Sequence, residues 1–150
     1  MLNLYLYFDG ACRQAMEHYA RALDTEVCEL MTFGDASIPV GDEHKEWVVH
    51  ASMKVGESST IMASDVVPGF DEHMPSSVTV GNNFAVSWGG GTSKDQMDRV
   101  FAALVGEGKG GKVLVPLAPT SYSAYYGALV DPFGVKWMMN LGGPHAEAPQ

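Results

Sequence analysis

Hydrophobic and polar positions along the chain follow two periods, and the switch between them occurs twice in the same order. Residues 2–8 (Leu-Asn-Leu-Tyr-Leu-Tyr-Phe) alternate and are rich in β-favouring aromatics, which predicts a strand. Asp9-Gly10 ends it. Cys12, Met16, Tyr19 and Leu23 then recur at helical spacing, with Arg13, Gln14, Glu17 and Arg21 on the other side, so an amphipathic helix of about three turns follows. A β-like stretch around Glu26–Phe33 leads to a polar loop, Gly34–Lys45. Trp47–Val55 alternates again, and Gly56-Glu57-Ser58 turns it into Thr60–Ser64. The predicted order is β-α-β-β-β.

Residues 65–80 are turn-rich and read as a linker. Beyond it the order restarts. Asn83–Trp88 predicts a strand and Gly89-Gly90-Gly91 its punctuation, while Met97, Val100, Phe101 and Leu104 mark a second amphipathic helix. Ser93 with Gln96 forms a capping-box signature at its start, and Gly106 is placed to stop it. Strands are expected near Lys112–Pro116, Ala124–Val130 and Val135–Leu141, with a tight turn at Asp131-Pro132-Phe133-Gly134 and a frayed tail from Gly142. The leading strands align at an offset of 80 (Leu4 with Phe84, Phe8 with Trp88), and the helices at one more (Met16 with Met97, Leu23 with Leu104). Two units are too few for a solenoid, so the pattern implies a pseudo-symmetric α+β domain.

Composition narrows the function. The 150 residues are 46% hydrophobic and 18% charged, ordinary for a folded globular chain. Eighteen acidic against nine basic residues give −9, which argues against nucleic acid as the main partner. No apolar run approaches the roughly 18 residues of a membrane span, and no secretory signal is recognisable. Two cysteines make no disulfide framework, so the expected compartment is the cytoplasm.

Several segments carry a family resemblance. They are Tyr5-Leu6-Tyr7-Phe8-Asp9-Gly10-Ala11-Cys12 with Ala15-Met16 and Tyr19, Thr32-Phe33-Gly34-Asp35, Val49-His50-Ala51, Ile61-Met62-Ala63-Ser64-Asp65, and Asp131-Pro132-Phe133-Gly134-Val135-Lys136-Trp137-Met138-Met139-Asn140. With the paired β-α-β-β-β order, the chain resembles the PhnB-like branch of the vicinal oxygen chelate superfamily, the glyoxalase / bleomycin-resistance / dioxygenase group. The resemblance implies a single α+β domain over 1–150. It would be made of pseudo-symmetric modules 2–66 and 80–142 that curl a mixed sheet into a cup around a shared cavity. Dimerisation is implied as well.

Metal enzymes of the superfamily place four His, Gln or Glu ligands on the first and last strands of the modules. The matching positions here are Asn3, Met62, Asn83 and Met138. Two amides and two thioethers make a poor site for a hard divalent ion or for zinc, so no metal ligand and no cofactor are expected. Alternation along the strands predicts a lining of Asn3, Tyr5, Tyr7, Met62, Ser64, Asn83, Ser87 and Met138, with Tyr122 at the rim. Such a polar and aromatic set suits a small organic ligand. The opposite faces (Leu4, Leu6, Phe8; Phe84, Val86, Trp88; Val135, Trp137, Met139) would take the helices.

His50 lies on the polar side of its strand, as a general acid/base or as a hydrogen-bonded structural histidine, with no partner carboxylate nearby in sequence. Cys12 falls on the helix's apolar stripe and is expected to be a buried thiol. His18 is expected to be exposed, and Asp42-Glu43-His44 and Asp71-Glu72-His73 to be solvated. Three functions remain open: a metal-independent small-molecule binder, a divalent-metal-dependent isomerase, lyase or dioxygenase, and a protein with a filled interior that acts by association.

Overall fold

The computed structural model describes residues 2–141, so the expected frayed tail and His145 lie outside the described residues. Two compact units, Met1–Thr79 and Val80–Gln150, each build a four-stranded mixed sheet with one helix. This is the α+β glyoxalase/bleomycin-resistance fold with its two modules.

In the first unit β1 (Leu4–Phe8) runs into helix α1 (Cys12–Ala22), then β2 (Val27–Thr32), β3 (Val48–Val55) and β4 (Ser59–Asp65). The sheet order is β1-β4-β3-β2; β1 pairs parallel with β4, and the other pairs are antiparallel. Apolar positions pointing towards α1 are buried: Leu6, Phe8, Ala51, Met53, Ile61 and Ala63 from the sheet against Ala15, Met16 and Tyr19 from the helix. Each large side chain so buried contributes roughly 1.5–3 kcal/mol. Gly10 sits between β1 and α1 at φ +78°, and a Cβ there would lie 2.8 Å from the Trp47 ring, so both conformation and space require glycine.

The second unit repeats the order with β5 (Val86–Gly91), α2 (Lys94–Val105), β6 (Lys112–Ala118), β7 (Tyr126–Val130) and β8 (Lys136–Leu141), arranged β5-β8-β7-β6. Helix α2 begins as its sequence announces: Gln96 N–H donates to Ser93 Oγ at 3.2 Å, and Thr92 N–H donates to Gln96 Oε1 at 2.7 Å. Gly106 ends it in the left-handed conformation, donating its N–H to Ala102 O. Helix α1 has no side-chain cap of its own. Its first N–H, that of Cys12, donates to Asp65 Oδ1 at 3.0 Å, while Val48 N–H donates to Asp65 Oδ2 at 2.8 Å. One buried carboxylate thereby ties the helix start to β3 and β4.

Several expectations need correction. Asn83 and Phe84 precede β5 instead of lying in it, and Phe84 is half exposed. Gly89-Gly90-Gly91 belongs to the strand, which shifts register against β8 between Trp88 and Gly91. A Cβ at Gly90 would meet the Trp88 indole and one at Gly91 the Met97 side chain, so Gly91 lets this strand pass close beside α2. Asn3 likewise lies just outside β1. His18 is buried, because α1 covers Cys12, Ala15, Met16, His18, Tyr19, Ala20 and Ala22, a far wider face than one stripe, and the His18 ring meets Tyr19 edge-on. The linker is less loose than its turn residues suggest: Asp65, Val66 and Val67 are buried, and Phe70 packs edge-on against Phe33 at 5.1 Å. No helix among the described residues is long and apolar enough to cross a membrane.

Candidate functional site

Strand register brings part of the expected lining together. In the first unit Tyr5 pairs with Met62 and Tyr7 with Ser64, while Met62 pairs on its other side with Ser52. Directly paired residues share a face, so Tyr5, Tyr7, Met62, Ser64, Ser52 and, two residues before Ser52, His50 occupy the face opposite α1. The two tyrosine rings tilt against each other at 5.2 Å, and the Tyr5 and His50 rings lie 6.1 Å apart. Tyr5 and Tyr7 keep 37% and 42% of their surface exposed, whereas Leu6 and Phe8, their neighbours on the helix side, are buried.

His50 has the carboxylate partner that its sequence neighbourhood lacks. Glu29 on β2 brings Oε2 to 3.9 Å from His50 Nε2, and Ser52 Oγ donates to the same oxygen at 2.9 Å. On the other side of the ring, Tyr5 Oη lies 3.5 Å from His50 Nδ1. Burial holds the Tyr5 phenol above its ordinary range. The Ser64 hydroxyl opposes it, easing the phenolate form. Ser64 itself is fully buried, and its Oγ completes no well-formed hydrogen bond. Glu29 is the residue that sequence reasoning missed. Its signal was an acidic side chain inside an apolar strand, but its pairing with His50 depends on a register set across the long loop between β2 and β3.

In the second unit Ser87 pairs with Met138, and both lie on the expected common face. Asn83 is outside the strand. Tyr122 is 70% exposed, with its ring edge-on to Tyr126 at 5.6 Å. Its loop is fixed by Thr120 Oγ1, which accepts from Tyr122 N–H and Ser123 N–H, and Tyr125 Oη donates to Asp98 at 2.6 Å.

Other candidates resolve as structure. Cys12 is fully buried, and burial together with the Asp65 charge pushes its thiol far above the reactive range. Asp42 forms an ion pair with Lys45 at 2.6 Å, His44 packs against Trp47, and Asp71 accepts from His73 N–H in an exposed turn.

The family resemblance would put metal-ligand positions at Asn3, Met62, Asn83 and Met138, of which Asn3 and Asn83 lie outside β1 and β5. The set holds no carboxylate, imidazole or thiolate, and thioethers are poor ligands for a hard divalent ion. Among the described residues no three His, Cys, Asp or Glu side chains are grouped to hold a metal.

Known proteins agree with this architecture. Protein PA1353 of Pseudomonas aeruginosa is 34% identical, and the match covers 94% of this chain and 98% of that one with a TM-score of 0.77. A PhnB protein of Bacillus cereus matches at 22% identity over 94% and 98% of the two chains, TM-score 0.67. These likenesses show the fold that the chain shares with the PhnB protein. Protein YjdN of Escherichia coli K12 is 27% identical over 93% of this chain and 94% of its own. A glyoxalase/bleomycin resistance/dioxygenase family enzyme of Burkholderia phytofirmans shares the fold at 17% identity, covering 93% and 95% of the two chains with a TM-score of 0.62. No protein-family model matches the chain.

Proposed function

We propose that the protein binds a small organic molecule against the polar, aromatic face of its first sheet, using its own side chains instead of a divalent metal. The observation that carries this reading is the contrast between the two faces of that sheet. One is apolar and covered by α1; the other presents Tyr5, Tyr7, His50, Ser52 and Met62 with hydroxyl, imidazole and ring edges available. Tyrosine supplies ring surface and a polar tip at little entropic cost, and methionine adapts to irregular ligands. The donor chemistry at the family's ligand positions supports a metal-free mode of binding.

A thermal-shift screen of chelator-treated protein against a small-molecule library tests this. A ligand at one hundred times its dissociation constant stabilises the native state by about 2.7 kcal/mol. Such a shift should be retained in EDTA and lost in Tyr7→Ala. Stabilisation that appears only with a divalent ion would overturn the proposal. The protein is further proposed to work in the cytoplasm as a homodimer, which analytical ultracentrifugation at micromolar concentration checks by mass.

A further inference from the structure

Building on that binding reading, we infer that Tyr5 and His50 form an acid–base pair, positioned by Glu29, that interconverts the keto and enol forms of an uncharged, aryl-bearing carbonyl compound.

The geometry separates the two roles. With Glu29 Oε2 facing Nε2 at 3.9 Å and itself held by Ser52 Oγ, the surroundings favour the tautomer with its proton on Nε2, which would leave Nδ1 facing the Tyr5 hydroxyl as the acceptor. The Tyr5 hydroxyl lies 3.5 Å from that lone pair, long for a hydrogen bond and typical of a catalytic contact before substrate tightens it. An acid and a base therefore stand side by side on one half-exposed face. Burial disfavours the phenolate form of Tyr5, and the fully buried Ser64 hydroxyl, which completes no well-formed hydrogen bond, partly offsets this for the form that the chemistry creates transiently. The Tyr7 ring beside Tyr5 offers a surface for an aryl group. Glu29 on the same face and a net charge of −9 disfavour a carboxylate ligand.

The proton shift balances without a co-reactant. His50 Nδ1 takes the proton from the carbon next to the carbonyl, and the C–H electron pair becomes the new C=C bond. The carbonyl π pair moves onto oxygen, which takes the Tyr5 proton, giving the enol. The imidazolium then returns its Nδ1 proton to the phenolate across their contact, restoring both groups. Glu29 acts through His50, stabilising the imidazolium and fixing its tautomer.

The probe is 1-phenylbutane-1,3-dione, whose enol absorbs in the near ultraviolet. Relaxation of an enol-rich solution diluted into buffer with EDTA should be accelerated on the order of 10²-fold by the full-length protein. Tyr5→Phe and His50→Gln should each lose at least about tenfold with unchanged far-UV circular dichroism, the range a single acid or base supplies. Glu29→Gln should lose less and move the His50 ¹⁵N signature away from the Nε2–H tautomer. Binding of the probe, seen by saturation-transfer NMR, without acceleration overturns this inference and leaves the binding proposal standing. Absence of saturation transfer overturns both for this ligand class. An Nδ1–H tautomer in the unmodified protein also overturns the inference.

Discussion

In the first module the leading strand presents Tyr5 and Tyr7 on one face and buries Leu6 and Phe8 on the other; in the second, its counterpart β5 ends in three glycines and buries no residue fully. The parallel pairing that organises each sheet is the same: Leu4 faces Ile61 in one, and Val86 faces Trp137 in the other. Each module also relies on a buried aspartate, but at different joints. Asp65 ends β4 and holds the start of α1 and of β3. Asp131 opens the β7–β8 turn, accepting from Phe133 N–H and Val135 N–H on one oxygen and from Trp137 Nε1–H on the other. A duplicated frame thus tolerates different locks, provided every buried donor is matched. The chemistry-bearing side chains (Tyr5, His50, Glu29, Ser64) gather on the first module, whose equivalent face in the second holds Ser87 and Met138.

The locks can be broken one at a time. Asp131→Ala strands three donors and Asp65→Ala at least two, and each buried group left unpaired costs about 1–3 kcal/mol. Urea unfolding should therefore show both variants destabilised by several kcal/mol, Asp131→Ala the more; a loss under about 1 kcal/mol in either would remove that aspartate from the frame.

A smaller, pH-dependent effect distinguishes Asp65. Burial, the largest influence, raises its carboxyl above the ordinary range against the opposing hydrogen bonds from Val48, Cys12 and Gly10. The folded protein then binds a proton more tightly than the unfolded chain between about pH 4 and the raised value, so this group's contribution falls as pH rises through that window. Asp65→Asn should abolish that slope in urea midpoints measured from pH 4 upward. An unchanged slope would assign it to other groups.

The smallest effect concerns helix starts. Ser93→Ala should cost about 1 kcal/mol, because α2 depends on a local cap. Ala11→Ser should gain less, since Asp65 already serves the first N–H of α1.

Much of this was legible in the alternation of residues. The order of elements, the Ser93–Gln96 cap and the Gly106 stop follow from local chemistry, and all three are present. The offset of 80 between leading strands becomes 82 by sheet register (Leu4 with Val86), a slip of two. An even slip keeps every side chain on its face, so Ser87 still shares a face with Met138 while Asn83 drops out of the strand. Glycines read as punctuation because their packing role against Trp88 and Met97 is tertiary. The Glu29–His50 pair was hidden for the same reason: 21 residues and a long loop separate partners that only a strand ladder aligns.

The most direct test of the central claim is to follow the backbone amides of ¹⁵N-labelled, EDTA-treated protein while titrating a stabilising compound from the thermal-shift screen. Saturable shifts concentrated at Tyr5, Tyr7, His50, Met62 and Ser64 are the predicted result. Shifts that require a divalent ion, or that avoid this face of the first sheet, would contradict it.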